Sequence, residues 1–252
     1  MRFGIIGFGN LGRSLASGLI KSGCASAGGI NVCDTSPQAR AIAESDPYFA
    51  NVSDDANLTI GSSDIVFLTV KSYVFEELSQ GIDRRLLANK TIVSFMAGVT
   101  FEKIYSLIGQ VMLIRAMPSL AIATCEGAIG YTAGPSEVTE IFHKLGFAFE
   151  TAPDDIEKVT AFSACGLGFA AYLIDAFAAA GARMGFSPEI SAKIAAMTFK
   201  NAVDRGDFRE TVKAVATPGG ATEQGVLYLD ESGAYDIIAV AVQKAYERMS
   251  GA

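Results

Sequence analysis

The most constraining feature of the sequence is a glycine turn between an apolar strand pattern and an amphipathic helix pattern, close to residue 1. Phe3–Ile6 has the apolar composition of a buried strand, and a helix is predicted over residues 10–20. Between them, Gly7, Gly9 and Gly12 have the spacing G-x-G-x-x-G. The first glycine permits a tight turn, the second leaves room for a phosphate, and the third lets the helix pack against the strand. Free N–H groups at the start of the helix would face the anion, so the stretch predicts a dinucleotide pyrophosphate site.

An acidic residue stands where such a turn binds the ribose of a dinucleotide. Asp34 lies 22 residues after the last glycine, at the end of a second predicted strand, residues 30–34. Its carboxylate would accept from the ribose hydroxyls and repel a 2′-phosphate, which favours NADH. Thr35, Ser36 and Arg40 favour NADPH, because hydroxyls and a guanidinium can form a phosphate site. We predict NAD(P)H as the cofactor, with NADH favoured; the alternative is a glycine-rich turn that binds no nucleotide.

Strand and helix patterns alternate over residues 1–152, and this alternation predicts an α/β domain with a doubly wound sheet. The further predicted strands cover residues 65–70, 91–95, 111–115, 128–132 and 147–151, and the further predicted helices cover residues 36–44, 73–80 and 136–145.

Only helix patterns occur over residues 153–252, so we expect an all-α second domain. Its predicted helices cover residues 154–183 with a glycine break, 187–204, 209–215, 222–230 and 235–249. The first of them is rich in alanine, which suits close helix contact with a second copy of the chain. We therefore predict a homodimer and leave a higher homo-oligomer open.

Composition excludes several other classes of partner. The net charge of −7 gives no basic surface for nucleic acid. Four cysteines without a C-x-x-C pair and a single histidine predict neither a zinc site nor a disulfide framework, so no metal is expected and the thiols fit the cytoplasm.

No signal peptide is visible at the N-terminus. Residues 159–174 are uncharged but shorter than the roughly 20 apolar residues of a membrane span, so we expect no membrane insertion.

Ligands of an open α/β sheet bind beyond the carboxyl ends of its strands, so the loops there should meet the cofactor. Lys71 follows one predicted strand and could contact the ribose or nicotinamide, although it could equally be a solvated surface lysine. Ala97 and Gly98 follow the next strand and are small enough for a nicotinamide ring to lie close. The residues predicted to bind the cofactor are Gly7, Phe8, Gly9, Asn10, Leu11, Gly12, Asp34, Thr35, Ser36, Val70, Lys71, Ala97 and Gly98.

The helical domain contains one stretch that a helix bundle does not need, Thr217-Pro218-Gly219-Gly220-Ala221-Thr222. Two glycines and a proline before the free N–H groups of a helix can form an anion nest that captures a carboxylate. The alternative is an ordinary interhelical turn in which Thr222 is the N-cap.

These stretches together resemble the pyrroline-5-carboxylate reductase family almost from end to end. The resemblance is carried by residues 3–12, 64–71, 93–100, 114–118, 126–128, 217–222 and 245–248. It implies a Rossmann domain followed by a helical dimerisation domain, and NAD(P)H-dependent reduction of a cyclic imine, 1-pyrroline-5-carboxylate, to L-proline. It also implies that Thr217, Gly219, Gly220 and Ala221 bind the substrate carboxylate, and that Thr222 bonds the ring nitrogen as the catalytic residue.

The family pattern is broken at Ser119-Leu120-Ala121 and over residues 164–169, which leaves a different imine open. A second alternative is a β-hydroxyacid dehydrogenase, for which Lys193 or Lys200 would be the catalytic lysine. A third is a paralogue that binds NAD(P)H without turnover.

Overall fold

The computed structural model describes residues 1–44 and 46–250 and divides them into two compact units. Of these residues, the first unit contains 1–164 and 246–250, and the second contains Cys165–Ala245. The predicted domain boundary at residue 152 lies twelve residues earlier than this division and stays a prediction. The last two residues of the predicted second domain, Gly251 and Ala252, lie outside the described residues.

The first unit is built on one eight-stranded sheet with the order β3-β2-β1-β4-β5-β6-β7-β8. The pairs from β3 through to β6 are parallel, β7 runs antiparallel to β6, and β8 is parallel to β7. This doubly wound order confirms the predicted fold class. The strands are β1 Phe3–Ile6, β2 Ile30–Cys33, β3 Phe49–Ser53, β4 Ile65–Leu68, β5 Thr91–Ser94, β6 Met112–Pro118, β7 Gly127–Tyr131 and β8 Gly146–Glu150.

Helices cover both faces of the sheet, which is why its central strands are continuous apolar runs. In β4, Phe67 packs into the core on one face, and Val66 and Leu68 pack into the core on the other. The α-helices of this unit are α1 Asn10–Lys21, α2 Pro37–Glu44, α3 Ala56–Gly61, α4 Ser72–Gln80, α5 Phe101–Ile108, α6 Ser136–Lys144 and α7 Ile156–Val159.

One β-strand and two α-helices of the first unit are absent from the sequence prediction. The strand β3 lies at the sheet edge and is only partly buried, so its pattern lacks the apolar run of the other strands. The helices α3 and α5 follow Asp55 and Thr100, whose side chains accept from Asn57 N–H and Lys103 N–H. These N-cap residues were readable signals for both helices.

The predicted glycine break in the long helix is wrong in its position. The irregularity is a π-helical turn over Thr160–Ala164, whereas Gly166 and Gly168 lie inside the following helix. The π turn packs beside the sheet, where Ser163 Oγ donates to Ala128 O at 3.3 Å. A π turn at such a contact re-aims a helix without needing a glycine.

The second unit contains α8 Cys165–Arg183, α9 Pro188–Arg205, α10 Phe208–Val215, α11 Ala221–Glu231 and the start of α12 Ala234–Ser250. The helices α8 and α9 pack on one another, with the Phe177 and Phe199 rings 5.8 Å apart. A Cβ at Gly181 would lie 3.0 Å from Ser191 Oγ, so the contact requires a small residue. Large apolar side chains stay exposed in this unit, including Tyr172, Tyr228 and Ile237.

One helical stretch of the described residues, Pro153–Arg183, is long and apolar enough to cross a membrane by length and composition alone. Only 6% of its apolar 18-residue segment is buried inside the chain. A helix of a soluble protein that packs against a second copy would have the same character.

Candidate functional site

A cavity of about 640 Å³ in the first unit lies beyond the carboxyl ends of β1, β2, β4 and β5. It includes the point between β1 and β4 where the strand order reverses, the usual ligand position in such sheets. Nine predicted cofactor residues line it: Gly7, Gly9, Asn10, Leu11, Asp34, Thr35, Val70, Lys71 and Ala97.

The glycine turn leaves open space at the start of α1. Gly7 has a φ of +100°, which favours glycine, and nothing lies within 4 Å of a Cβ built on Gly9. A Cβ on Gly12 would lie 2.1 Å from Gly7 O, so this glycine is required for the close packing of α1 against the turn. Gly9 is the N-cap and no side chain caps the helix, which leaves its first N–H groups to bind an anion.

Asp34 is fixed by two backbone N–H groups. Its Oδ2 accepts from Phe8 N–H at 2.6 Å and its Oδ1 from Ser36 N–H at 2.8 Å. Phe8 and Ser36 do not line the cavity themselves. Their backbone N–H groups hold the Asp34 carboxylate, which does. Gly12 and Gly98 do not line the cavity either. Gly12 allows α1 to pack on the glycine turn, and Gly98 donates its N–H to Glu157.

The other predicted phosphate ligand, Arg40, is already engaged. Its Nη1 donates to Asp34 O at 2.7 Å and to Thr35 O at 3.1 Å, and it lies 3.9 Å from Asp54 Oδ2. The guanidinium thus stabilises the loop after β2 rather than standing free.

Acidic groups dominate this end of the cavity, as the neighbouring thiol shows. The pKa of Cys33 is raised from 9.0 to about 11, first by burial and then by the charges of Asp34, Asp55 and Asp54, which Arg40 offsets only in part. Such a thiol stays protonated and unreactive near neutral pH.

Two cavity neighbours are not among the residues named as cofactor ligands from the sequence. Thr69 Oγ1 donates to Gly7 O at 2.5 Å and so holds the glycine turn, and Arg13 Nη2 donates to Asn10 Oδ1 at 2.8 Å beside the start of α1. Thr69 is the first residue after β4, at the start of a loop that was expected to meet the cofactor. Arg13 gave no signal, since an arginine in the first turn of a helix is usually a solvated side chain.

The Thr-Pro-Gly-Gly stretch forms a tight turn in the second unit. Gly220 N–H donates to Thr217 O at 2.8 Å, and Gly219 has a φ of +73°, the geometry that requires glycine at the third turn position. A Cβ on Gly220 would lie 2.5 Å from Thr217 Oγ1.

The interpretation of Thr222 as a helix N-cap is wrong. The N-cap of α11 is Gly220, without a side-chain cap, and Thr222 is an exposed residue inside the first turn. Because Ala221 already has helical geometry, the cap falls two residues earlier. The roles predicted for Thr217, Gly219, Gly220, Ala221 and Thr222 stay predictions.

The anion nest already holds an anion from the chain itself. Gly219 N–H donates to Glu223 Oε2 at 2.7 Å. No group of three or more histidine, cysteine or acidic side chains in residues 1–44 and 46–250 could hold a metal ion.

Comparisons with known proteins match both units. Residues 153–251 match the family model described as pyrroline-5-carboxylate reductase dimerisation, and residues 2–98 match the one described as NADP oxidoreductase coenzyme F420-dependent. The pyrroline-5-carboxylate reductase of Aquifex aeolicus is 31% identical, over 92% of this chain and 90% of that protein. Pyrroline-5-carboxylate reductase 3 of Danio rerio is 29% identical, over 98% and 90%.

The fold is shared with solved structures. The Plasmodium falciparum pyrroline carboxylate reductase with NADP bound superposes with a TM-score of 0.87 at 22% identity, over 100% of this chain and 97% of that one.

Proposed function

The chain belongs to the pyrroline-5-carboxylate reductase family, and from this premise we propose that it reduces 1-pyrroline-5-carboxylate to L-proline with a reduced nicotinamide dinucleotide. The observation that carries the proposal is the cavity at the strand-order reversal, which combines an uncapped helix start with the fixed Asp34 carboxylate. The cofactor supplies the hydride for the imine carbon. The protein's task is to bind and orient, which requires neither a histidine nor a metal.

The binding roles follow from the groups present. Amides at the start of α1 would hold the diphosphate, with Arg13 adding positive charge, and Asp34 would accept from the ribose hydroxyls. Met96 and Ala97 would form the wall at the nicotinamide end, where Lys71 stands exposed at the rim.

Thr217 and the amides of Gly219 and Ala221 would bind the substrate carboxylate in the second unit, at a turn that Gly220 N–H closes by donating to Thr217 O. Thr222 would bond the ring nitrogen, which is an imine in the substrate and an amine in the product. A hydroxyl can serve both, since it donates and accepts.

The charges near Asp34 support NADH rather than NADPH. A 2′-phosphate beside this carboxylate would meet like charge from Asp34 and from the nearby Asp54 and Asp55. The guanidinium of Arg40, which could offset that charge, donates instead to two backbone carbonyls. The Plasmodium protein has NADP bound, so the NADH preference proposed for this chain rests on its own residues and not on that structure.

The exposed apolar side chains of the second unit and the match to a dimerisation model support a homodimer, with a higher homo-oligomer open. Four free cysteines support a reducing compartment, and we assign the protein to the cytoplasm.

The decisive assay follows oxidation of NADH and of NADPH with 1-pyrroline-5-carboxylate and identifies proline as the product. Turnover without proline, or NADH binding without turnover, would contradict the proposal. The latter result would indicate a paralogue that binds the cofactor without catalysis.

A second candidate is reduction of an imine that carries no carboxylate. It is favoured by the Glu223 carboxylate on Gly219 N–H, which occupies the group proposed to bind the substrate anion. In the same assay, faster turnover of 1-pyrroline than of its 5-carboxylate would select it. A hydroxyacid dehydrogenase is less well supported, because Lys200 pairs with Asp204 at 2.5 Å and Lys193 is exposed.

A further inference from the structure

A buried ion pair lies directly behind the wall of the cofactor cavity. Arg115 Nη2 of β6 donates to Glu157 Oε1 of α7 at 2.5 Å, and the two side chains are only 4% and 14% exposed. Arg115 itself does not line the cavity, and neither does Glu157.

The pair also contacts the turn over residues 96–98, which follows β5. Glu157 Oε1 accepts from Gly98 N–H at 3.0 Å, and Arg115 Nη2 lies 3.4 Å from Met96 O. Ala97, between these two contacts, lines the cavity together with Met96. One carboxylate oxygen therefore fixes the end of the turn and the arginine at once.

The backbone shape of the 96–98 turn requires glycine at residue 98, so no side chain is available there to anchor the turn. Gly98 has a φ of +71°, and a Cβ there would lie 3.1 Å from Met249 O. Its backbone N–H is the group available for anchoring, and a charged acceptor forms a stronger hydrogen bond than a neutral one.

The pair is poorly suited to stabilise the fold. Among the described residues, Arg115 Nε and Glu157 Oε2 are buried without a hydrogen-bond partner. The cost of burying two charges can exceed what an imperfectly satisfied pair returns, and apolar replacements of such pairs often fold equally well. A requirement for geometry explains its presence better than a requirement for stability.

We propose that Arg115 and Glu157 are positioning residues for hydride transfer, which fix the 96–98 turn so that the nicotinamide ring has one defined wall. This inference depends on the proposed function for the identity of the ring. It predicts that the pair affects the nicotinamide half of the cofactor and leaves the adenosine half unaffected, since the hydrogen bonds of the two side chains within residues 1–44 and 46–250 join them to each other and to the 96–98 turn.

The test replaces both charges, Arg115→Met with Glu157→Leu, so that neither is left buried alone. Binding is titrated with NADH and with ADP-ribose, which lacks the nicotinamide. We expect the Kd for NADH to rise about five- to twentyfold, the Kd for ADP-ribose to stay within twofold, and kcat to fall at least tenfold, the size of effect that follows from misplacing a reacting group. The chain contains no tryptophan, so bound NADH emission can be followed without protein interference.

Glu157→Asp keeps the charge pair and shortens its reach, so it decides the question if the double variant does not fold. We expect the same split between NADH and ADP-ribose, at about threefold or more. Lys90→Met is the control, since the Lys90 ammonium donates to Ser63 O at the amino ends of β5 and β4, whereas the 96–98 turn follows the carboxyl end of β5. It should change neither ligand's Kd.

Wild-type NADH affinity in the folded variants would overturn the inference, as would an equal loss for NADH and ADP-ribose. The binding readouts need no turnover, so failure of the imine assay leaves this test intact. That separates the positioning role from the proposed reaction.

Discussion

The carboxylate of Glu223 accepts a hydrogen bond from the backbone N–H of Gly219 at 2.7 Å, so the turn before α11 is stabilised by an anion from the same chain. A glutamate in the first helical turn is also favourably placed against the helix dipole. If the substrate carboxylate binds the same N–H group, it must displace this side chain first.

Replacing Glu223 with glutamine should therefore improve substrate binding. The neutral amide competes less strongly than a carboxylate, so we expect KM for 1-pyrroline-5-carboxylate to fall about three- to tenfold, with a smaller change in kcat. The free energy of unfolding should fall by about 0.5–1 kcal/mol because the helix start loses its charge. Glu189→Gln, the same change in the first turn of α9, is the control and should leave KM unchanged. An unchanged KM in Glu223→Gln would show that the substrate anion binds elsewhere.

Removing the charge of Asp34 should reverse the cofactor preference. In Asp34→Asn the repulsion of a 2′-phosphate disappears, so we expect the Kd for NADPH to fall about tenfold or more, whereas the Kd for NADH rises. The amide can accept only one of the two backbone N–H groups, which should cost about 1 kcal/mol of stability. Parallel titrations with both cofactors measure the shift.

Asp54→Asn is the matched control, because the substitution removes an equal charge at a side chain that is 70% exposed. Its effect on the two cofactors should be much smaller. A tenfold preference of the unmodified protein for NADPH would show that Arg40 outweighs Asp34.

The sequence predicted most of the sheet because its central strands are continuous apolar runs, a pattern set by burial on both faces. It missed β3, whose edge position leaves no such pattern, and misplaced the break before α8, since a π turn has no residue signature. It also predicted nine residues that line the cavity at the strand-order reversal, because glycine spacing and the acidic position are local. The Arg115–Glu157 pair and the Glu223 contact with Gly219 were not predicted; the first joins residues 42 apart, and the second depends on a turn geometry that spacing alone does not reveal.

The exposed apolar face of the second unit should hold two copies together. Ile237 of α12 is 66% exposed, so Ile237→Glu should cost little in a monomer but place a charge inside a dimer contact. We expect light scattering at micromolar concentration to give a dimer or larger assembly for the unmodified protein and a smaller species for the variant. Met112→Glu, at a similarly exposed apolar side chain of β6, should leave the mass unchanged. A monomeric unmodified protein would contradict the dimer.

Alkaline pH should destabilise the protein through Cys33. Its pKa is raised from 9.0 to about 11, so the unfolded thiol loses its proton first and the unfolded state gains stability as pH rises above about 9. Below pH 9 the thiol is protonated in both states, so its contribution to the free energy of unfolding is fully present. Denaturant unfolding of the unmodified protein and of Cys33→Ala should show a difference that shrinks or reverses by about 1–2 kcal/mol between pH 8 and 10.5. A constant difference over this range would mean that the thiol titrates normally.

Thr222 provides the sharpest test of the reaction itself. It lies inside the first turn of α11 and does not cap the helix, so Thr222→Ala should change the free energy of unfolding by less than about 0.5 kcal/mol. If its hydroxyl bonds the ring nitrogen as the imine becomes an amine, kcat/KM should fall by about one to two orders of magnitude, about 1.4–2.8 kcal/mol of transition-state stabilisation. NADH affinity should stay the same, because the cofactor cavity is lined by residues of the first unit. Thr222→Ser should restore most of the activity, since it keeps the hydroxyl and loses only the methyl group. Wild-type kcat/KM in folded Thr222→Ala would remove this residue from the reaction and leave the ring nitrogen to another donor.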